Sequence, residues 1–182
     1  MCIRDSFNTI KTSGHFSINH KINKKNLLKA GVNIDVFSLF QSDSVLYDLD
    51  IPDSFKNRWD YSGTKLLAQP FVQWKLRASD NLDFTLGVHS QYFSNGNSIS
   101  LVEPRTAIKY RFRNNQSIFA GAGLHSQMQP LYTYSYHQLD LNGNKTYQNQ
   151  DMGLMKSIHS GLGYEKTFEK GFSIKTEAYY QY

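Results

Sequence analysis

The sequence has little of several features that define common protein classes. It contains a single cysteine, Cys2, which excludes an intrachain disulfide framework and a cysteine-rich zinc module. No apolar run reaches the roughly 18 to 20 residues that a membrane-spanning helix requires, so a helical membrane protein is excluded. A membrane β-barrel is not excluded, because only alternate residues of its strands face lipid and its mean hydropathy is therefore low.

The motifs of common catalytic chemistries are also absent. The patterns GxSxG and HExxH and a glycine-rich phosphate loop do not occur. Ser126 follows His125 directly, but adjacent residues of a strand point to opposite faces, so the pair does not predict a catalytic triad. The four aspartates within 43–53 lack the spacing of an EF-hand loop. We therefore expect no enzymatic activity, no resident cofactor and no metal centre.

Charge is not gathered into one block. The formal net charge is +5 and the pI is about 9.2, yet lysines and arginines are scattered among aromatic residues along the chain. No helix or RNP-like motif accompanies them, so nucleic acid is not expected as a partner.

What the sequence does have is a high aromatic content and a period-two alternation of apolar and polar residues, the pattern of β-strands with two different faces. Within 27–41, Leu28 and Ile34 fall on one face while Lys29 and Asp35 fall on the other. The same pattern predicts eight antiparallel strands in four hairpins, at 12–22, 27–41, 64–77, 82–93, 104–112, 117–127, 156–167 and 172–182.

The predicted connections alternate between short turns and long loops. The turns are at 23–26, 78–81, 113–116 and 168–171, and the loops are at 42–63, 94–103 and 128–155. Turns on one rim and loops on the other are typical of a transmembrane barrel with external loops. Predicted strands of about 10 to 14 residues also cover the ~9 to 11 that cross a bilayer. The sequence therefore predicts an all-β, antiparallel, up-and-down barrel segment in the outer membrane of a Gram-negative bacterium.

Aromatic residues gather near the predicted strand ends, as expected for two girdles at the membrane interfaces. The set near the turns is Trp74, Tyr110, Phe112, Tyr164, Phe168 and Phe172, and the set near the loops is Phe37, Phe40, Tyr92, Phe93, Tyr179 and Tyr180.

A series of short patterns runs from Val102 to the end of the chain. They are Glu103, Pro104 and Arg105; Gly121, Gly123, Leu124, His125, Ser126, Gln127, Gln129, Pro130 and Leu131; Ser157, His159, Gly163 and Tyr164; and Lys175, Glu177, Tyr179, Tyr180 and Gln181. Together they resemble the barrel of TonB-dependent outer-membrane receptors of the Bacteroidetes type. The resemblance covers about the last 80 residues, and the first 100 share only the rhythm of strands and loops.

The resemblance implies an internal fragment of a larger barrel. In that family about 22 strands enclose a plug domain, and a TonB box receives energy from the inner membrane. This chain contains neither, so the plug domain and TonB are expected partners only through the rest of the receptor. The implied ligand is a small nutrient of unidentified class: a glycan, a peptide or a metal chelate. A basic set is expected to face either acidic groups of the plug or lipid and lipopolysaccharide headgroups. It consists of Lys75, Arg77, Arg105, Lys109, Arg111 and Arg113.

Two similar segments, LGVHSQYF at 86–93 and AGLHSQMQ at 122–129, place His89 and His125 at the loop ends of strands. We expect both imidazoles at similar height on the inner face, with His159 nearby, either as a ligand site or as polar residues bonded to each other. The loops are rich in aromatic groups, which suit carbohydrate or peptide ligands or merely pack as a lid. The candidate ligand residues are Trp59, Tyr61, His89, Gln91, His125, Gln127, Tyr132, Tyr134 and Tyr136.

Two other interpretations of the chain remain open. Eight strands can close into a small barrel with a structural or adhesive role. A soluble β-sandwich binding module is the other, although the sorting of loops and the strand lengths disfavour it. Residues 1–6, MCIRDS, have no apolar h-region and resemble an end artefact of assembled sequencing reads, so we expect a non-native tail at 1–6 and one partial barrel domain at 7–182.

Overall fold

A computed structural model of the chain describes residues 3–46, 55–96, 98–139, 144–169 and 171–182. This part of the chain is almost entirely antiparallel β-structure with one short helix. None of its helices is long and apolar enough to cross a membrane. The elements are β1 (Ile3–Lys21), β2 (Asn26–Leu46), β3 (Phe55–Arg77), β4 (Leu82–Phe93), β5 (Ser98–Phe112), β6 (Gln116–Gln127), α1 (Leu131–Ser135), β7 (Gln138–Leu139), β8 (Lys145–Thr146), β9 (Met155–Thr167) and β10 (Ser173–Gln181).

Eight of the strands form one up-and-down sheet in the order β1-β2-β3-β4-β5-β6-β9-β10. Each strand pairs with its neighbour in sequence, and β6 pairs with β9 across the segment that carries α1 and the small ribbon of β7 and β8. The sheet is open, with β1 and β10 as its edge strands. The predicted all-β, antiparallel, up-and-down arrangement of eight strands is thereby confirmed.

The four short turns lie where the sequence predicts them. In the first, the Asn23 side-chain oxygen accepts the backbone N–H groups of Lys25 and Asn26, each at 2.9 Å. In the third, a three-residue loop closed by the pair Phe112 and Gln116, Asn114 and Asn115 both have positive φ, 61° and 52°. Asparagine tolerates this region better than most residues, which explains its use at this turn.

Two of the three predicted long loops are too long. β2 continues to Leu46 and β3 already begins at Phe55, so the predicted loop 42–63 is largely strand. β5 begins at Ser98, which leaves only 94–97 in place of 94–103. The ladder of backbone hydrogen bonds continues beyond the point where apolar alternation stops, and sequence alternation alone does not detect it. The third loop is confirmed at 128–154, while three of the four aspartates within 43–53 lie outside the described residues.

Strand pairing keeps side chains of one parity on one face. From β1 to β10, even-numbered residues such as Phe16, Leu86 and Leu162 form an apolar face, and odd-numbered residues form a polar face. The large apolar side chains of the apolar face are exposed, reaching 63% for Phe16 and 61% for Leu162. This exposure of the apolar face is the reverse of what a soluble sheet shows, since a soluble sheet buries its apolar face.

β5 contains one extra residue. His89 pairs with Glu103 and Gln91 pairs with Ser100, so three steps along β5 match two along β4. The side chains of Leu101 and Val102 at this β-bulge are both exposed, at 74% and 60%. The bulge changes the parity of β5, and it brings both Ser100 and Glu103 to the polar face.

The only cluster of buried apolar side chains among the described residues lies on the polar face, at the loop ends of β2, β3 and β4. It is formed by Phe37, Leu39, Leu67, Phe93 and Tyr134. Tyr134 comes from α1, within residues 128–139 and 144–154, which we call the lid. The lid therefore folds across the sheet onto distant strands instead of standing above its own hairpin.

Candidate functional site

Glu103 is at the centre of a buried polar network on the polar face. It is fully buried, and its Oε2 lies 2.8 Å from Nδ1 of His89 on the neighbouring strand. The Ser126 hydroxyl donates to Oε1, and the Arg105 guanidinium approaches Oε2 at 3.4 Å. A buried carboxylate needs several donors to offset its lost hydration, and these residues supply them.

Gln91 extends this network to the neighbouring strands. Its Nε2 donates to Glu103 Oε1 at 3.2 Å and to the Ser126 hydroxyl at 2.9 Å, and its Oε1 accepts from Gln69 at 3.0 Å. Nδ1 of His89 and the side-chain amide of Gln91 are thus bonded within the protein, as expected if these inner-face residues bond to each other. The Ser126 hydroxyl also reaches this network, at a part of β6 that pairs with β9 as far as Gln127 but with β5 only as far as Gly123.

His125 and His159 come together, as the sequence predicts. Their rings stack with centroids 4.4 Å apart. His159 is held by the Ser157 hydroxyl at 2.7 Å and the Tyr179 hydroxyl at 3.0 Å. His125, in contrast, has no hydrogen-bond partner for either ring nitrogen among the described residues, although it is only partly exposed. Gln127 is exposed and lies outside this group.

Beside the two imidazoles is a groove of about 990 Å³ on the polar face. We call it the glycine groove, because Gly121 and Gly161, paired across β6 and β9, form its floor. Arg105, His125, His159 and Tyr179 line one end, and Lys109, Phe119, Glu165, Lys175 and Glu177 line the other. A smaller groove of about 350 Å³ reaches Asn33, Gln73 and His89 and shares Arg105 with the first.

The candidate aromatic residues lie at the loop end of the polar face. Trp59 is 6% exposed; its indole N–H donates to Asp43 at 3.1 Å, and its ring packs against Tyr136. Phe7 packs on both Trp59 and Tyr132, and these contacts leave Phe7 and Tyr132 about half exposed. Trp59, Tyr132 and Tyr136 therefore share one aromatic cluster, of which the exposed part is the ring pair Phe7 and Tyr132.

Two other candidates serve packing. Tyr134 is 1% exposed, with its ring on Phe93 and its hydroxyl accepting the Gln129 N–H at 2.8 Å. Tyr61 is half-buried beneath Lys65, whose ammonium lies 5.6 Å from the ring centroid. Burial raises the pKa of Tyr61 and lowers the pKa of Lys65, because each charged form loses hydration.

Hydrogen bonds hold the lid onto the sheet. Lys65 donates to Asn95 at 2.6 Å, and Asn95 donates to the Gln150 carbonyl at 2.9 Å. Ser135 of α1 donates to Gln41 at 2.5 Å. These contacts join β2, β3 and the β4–β5 turn to both halves of the lid.

The sequence analysis does not predict Glu103, Arg105 or Tyr179 as ligand-binding residues: Arg105 is named only in the basic set and Tyr179 only in a girdle. Once the strand register is known, a charged residue on the polar face is a signal that could have identified Glu103 and Arg105. No group of three potential metal ligands comes together in the part of the chain that the structure describes. Comparison with known proteins found no family profile that matches this chain and no curated protein with significant similarity to it.

Proposed function

We propose that this chain is part of the wall and outer vestibule of an outer-membrane β-barrel of the TonB-dependent receptor type, which takes up a small nutrient. One observation carries the proposal: the apolar face of an eight-stranded sheet is exposed along its length, while the buried side chains lie on the other face. An apolar face of this extent in water is an aggregation site, whereas in a bilayer hydrocarbon covers it.

The aromatic residues near the short turns support a membrane boundary there. All six have even numbers and belong to the apolar face or to the turn beside it. The indole N–H of Trp74 donates to Asn26 at 2.9 Å, and the hydroxyl of Tyr164 donates to Gln116 at 2.8 Å. Both acceptors begin a strand next to a short turn, so the polar tips point toward the rim, as in an interfacial girdle.

The loop-end girdle is smaller than the sequence predicts. Phe40, Tyr92 and Tyr180 have even numbers, and they are exposed on the apolar face. Phe37 and Phe93 are buried under the lid, and Tyr179 lies on the polar face, so these three are not part of a girdle. The parity of each residue, not its distance from the strand end, decides which face it occupies.

Strand length fits a bilayer at β4 and exceeds it at β1 to β3. From Leu82 to Tyr92 at about 3.4 Å a residue and a tilt near 40°, β4 rises about 26 Å, close to the ~25 Å apolar band of such barrels. In β3 the segment that pairs with β4 is 67–77, opposite 83–93, and β3 continues beyond it to Phe55. The extensions of β1, β2 and β3 carry the lid and the exposed aromatic pair Phe7 and Tyr132, which suits an external vestibule.

Tryptophan quenching tests the proposal. The chain has two tryptophans: Trp74 is 37% exposed on the apolar face, and Trp59 is buried under the lid. We expect brominated phosphatidylcholine vesicles to quench Trp74 in the Trp59→Phe variant and to leave Trp59 unquenched in Trp74→Phe. Equal quenching of both residues, or of neither, would contradict a lipid-facing apolar face.

The count of eight strands favours a second candidate, a small closed barrel. In that case β1 would pair with β10, but β1 has 19 residues and β10 has nine, so about half of the edge of β1 would lack a partner. The coding sequence on both sides of this reading frame separates the two candidates. A plug domain upstream and more alternating strands downstream support the receptor, and an export signal joined near residue 7 with a stop after 182 supports the small barrel.

A further inference from the structure

The glycine groove is open because no side chain lies above its floor. Added Cβ atoms at Gly121 and Gly161 would meet their closest atoms at 3.3 and 3.5 Å, in both cases a backbone carbonyl oxygen of the neighbouring strand. Two other polar-face glycines are covered: the Phe119 ring lies over Gly163, and the Phe71 ring lies over Gly31. The space above Gly121 and Gly161 is therefore available to a ligand.

The groove has more positive than negative charge. Its lining includes five cationic side chains, Lys75, Arg105, Lys109, Arg111 and Lys175, and three carboxylates, Asp83, Glu165 and Glu177. Each carboxylate is already paired within the groove: Asp83 with Arg111 and Lys75, Glu165 with Lys109, and Glu177 with Lys175. Glu103, buried behind the groove, pairs with Arg105, and counting its carboxylate leaves an excess of one positive charge, which favours an anionic occupant.

Arg105 and His125 lie close together at one end of the groove, and both have hydrogen-bond donors that the protein does not use. An added Cβ at Gly123 would lie 3.1 Å from Cγ of Arg105 and 3.2 Å from Nε2 of His125, so both side chains border the same point. The oxygen nearest to Arg105, Oε2 of Glu103, already has His89 at 2.8 Å, and the guanidinium is 42% exposed. Guanidinium N–H groups and a partnerless imidazole nitrogen are suitable donors for an oxyanion.

We propose that the glycine groove binds a small oxyanion, a carboxylate or a phosphate group of the ligand, with Arg105 as the bidentate anchor and His125 as a second donor. The body of the ligand lies on the floor at Gly121 and Gly161. The inference rests on the proposed receptor function for its biological meaning, since it names the chemistry by which that receptor recognises its nutrient. Gly123 is a positioning residue, because a methyl group there separates the two donors.

Histidine-selective NMR on the refolded full chain in detergent tests the site, with citrate and inorganic phosphate as separate probes. We expect saturable shifts of His125 and His159 and none of His20. Arg105→Gln should weaken binding about 10- to 100-fold, the value of hydrogen bonds to charged groups. Gly123→Ala should also weaken it without removing a charge. Arg113→Gln, an exposed turn arginine of the same hairpin, is the matched control and should leave binding unchanged.

The outcomes separate this inference from the membrane proposal. Binding of citrate alone assigns a carboxylate ligand, and binding of phosphate alone assigns a phosphate. Equal weakening by Arg113→Gln and Arg105→Gln would indicate general electrostatic attraction and overturn the site. Lipid quenching of Trp74 with no histidine shift would remove the groove inference alone, and histidine shifts without lipid quenching would remove the membrane proposal alone.

Discussion

The substitutions Val72→Lys and Gln73→Lys, in adjacent residues of β3, test which face of the sheet contacts lipid and which contacts water. Both residues are exposed, and both lie near the centre of the segment 67–77. Val72 is flanked by Ala30 and Val88 on the apolar face, while Gln73 is opposite Lys29 on the polar face. In water, both lysines are tolerated, because surface substitutions change the free energy of unfolding by only about 0.5 kcal/mol.

In a bilayer the two changes differ. A lysine at the midplane of the lipid face costs about 2 to 4 kcal/mol, so Val72→Lys should reduce the folding equilibrium constant about 30- to 700-fold. The lysine of Gln73→Lys remains hydrated. Repulsion from Lys29 is then the main cost of this substitution, and it should stay below about 1 kcal/mol. Urea unfolding from phosphatidylcholine vesicles, followed by tryptophan fluorescence, measures both. Costs that agree within about 1 kcal/mol would refute the assignment of the apolar face to hydrocarbon.

Two further predictions concern the network and the lid. Glu103→Gln should destabilise the protein by about 2 to 4 kcal/mol in the same urea assay, because the donors around the buried carboxylate lose a charged acceptor, whereas Glu165→Gln should have no measurable effect. If Glu103→Gln changed the free energy of unfolding as little as Glu165→Gln, the network around Glu103 would contribute no stability. Gly96 has φ of +56°, and an added Cβ would lie 2.0 Å from the Gln150 carbonyl oxygen, so Gly96→Ala should detach the lid and accelerate its proteolysis. Gly153→Ala, with open space around it, is the control, and unchanged proteolysis of Gly96→Ala would contradict the described contact.

Much of the sheet follows from the sequence because side-chain parity and turn chemistry are local properties. The turn residues Asn23, Asn114 and Asn115 mark two chain reversals, and alternation between the turns predicts which residues share a face. The proximity of His125 and His159 follows from the same parity, since β6 and β9 pair in simple register.

The strand ends and the network could not be predicted in this way. Beyond the apolar band, serines such as Ser42 and Ser62 replace apolar residues, and only backbone pairing to a neighbouring strand shows that the strand continues. The bulge in β5, which brings both Ser100 and Glu103 to the polar face, is not indicated by the sequence pattern. The docking of Tyr134 on Phe93 joins segments about 40 residues apart, and no local signal specifies it.

The extra residue in β5 also determines where the chain can be shortened. Removal of Val102 would give an unbroken alternation in which Gln91 still pairs with Ser100 and His89 still pairs with Glu103. Removal of Thr106 would instead transfer one part of β5 to the opposite face and place apolar side chains beside the buried carboxylate. A scan of single-residue deletions along this hairpin should therefore find one tolerant position, at the bulge, within an otherwise intolerant strand.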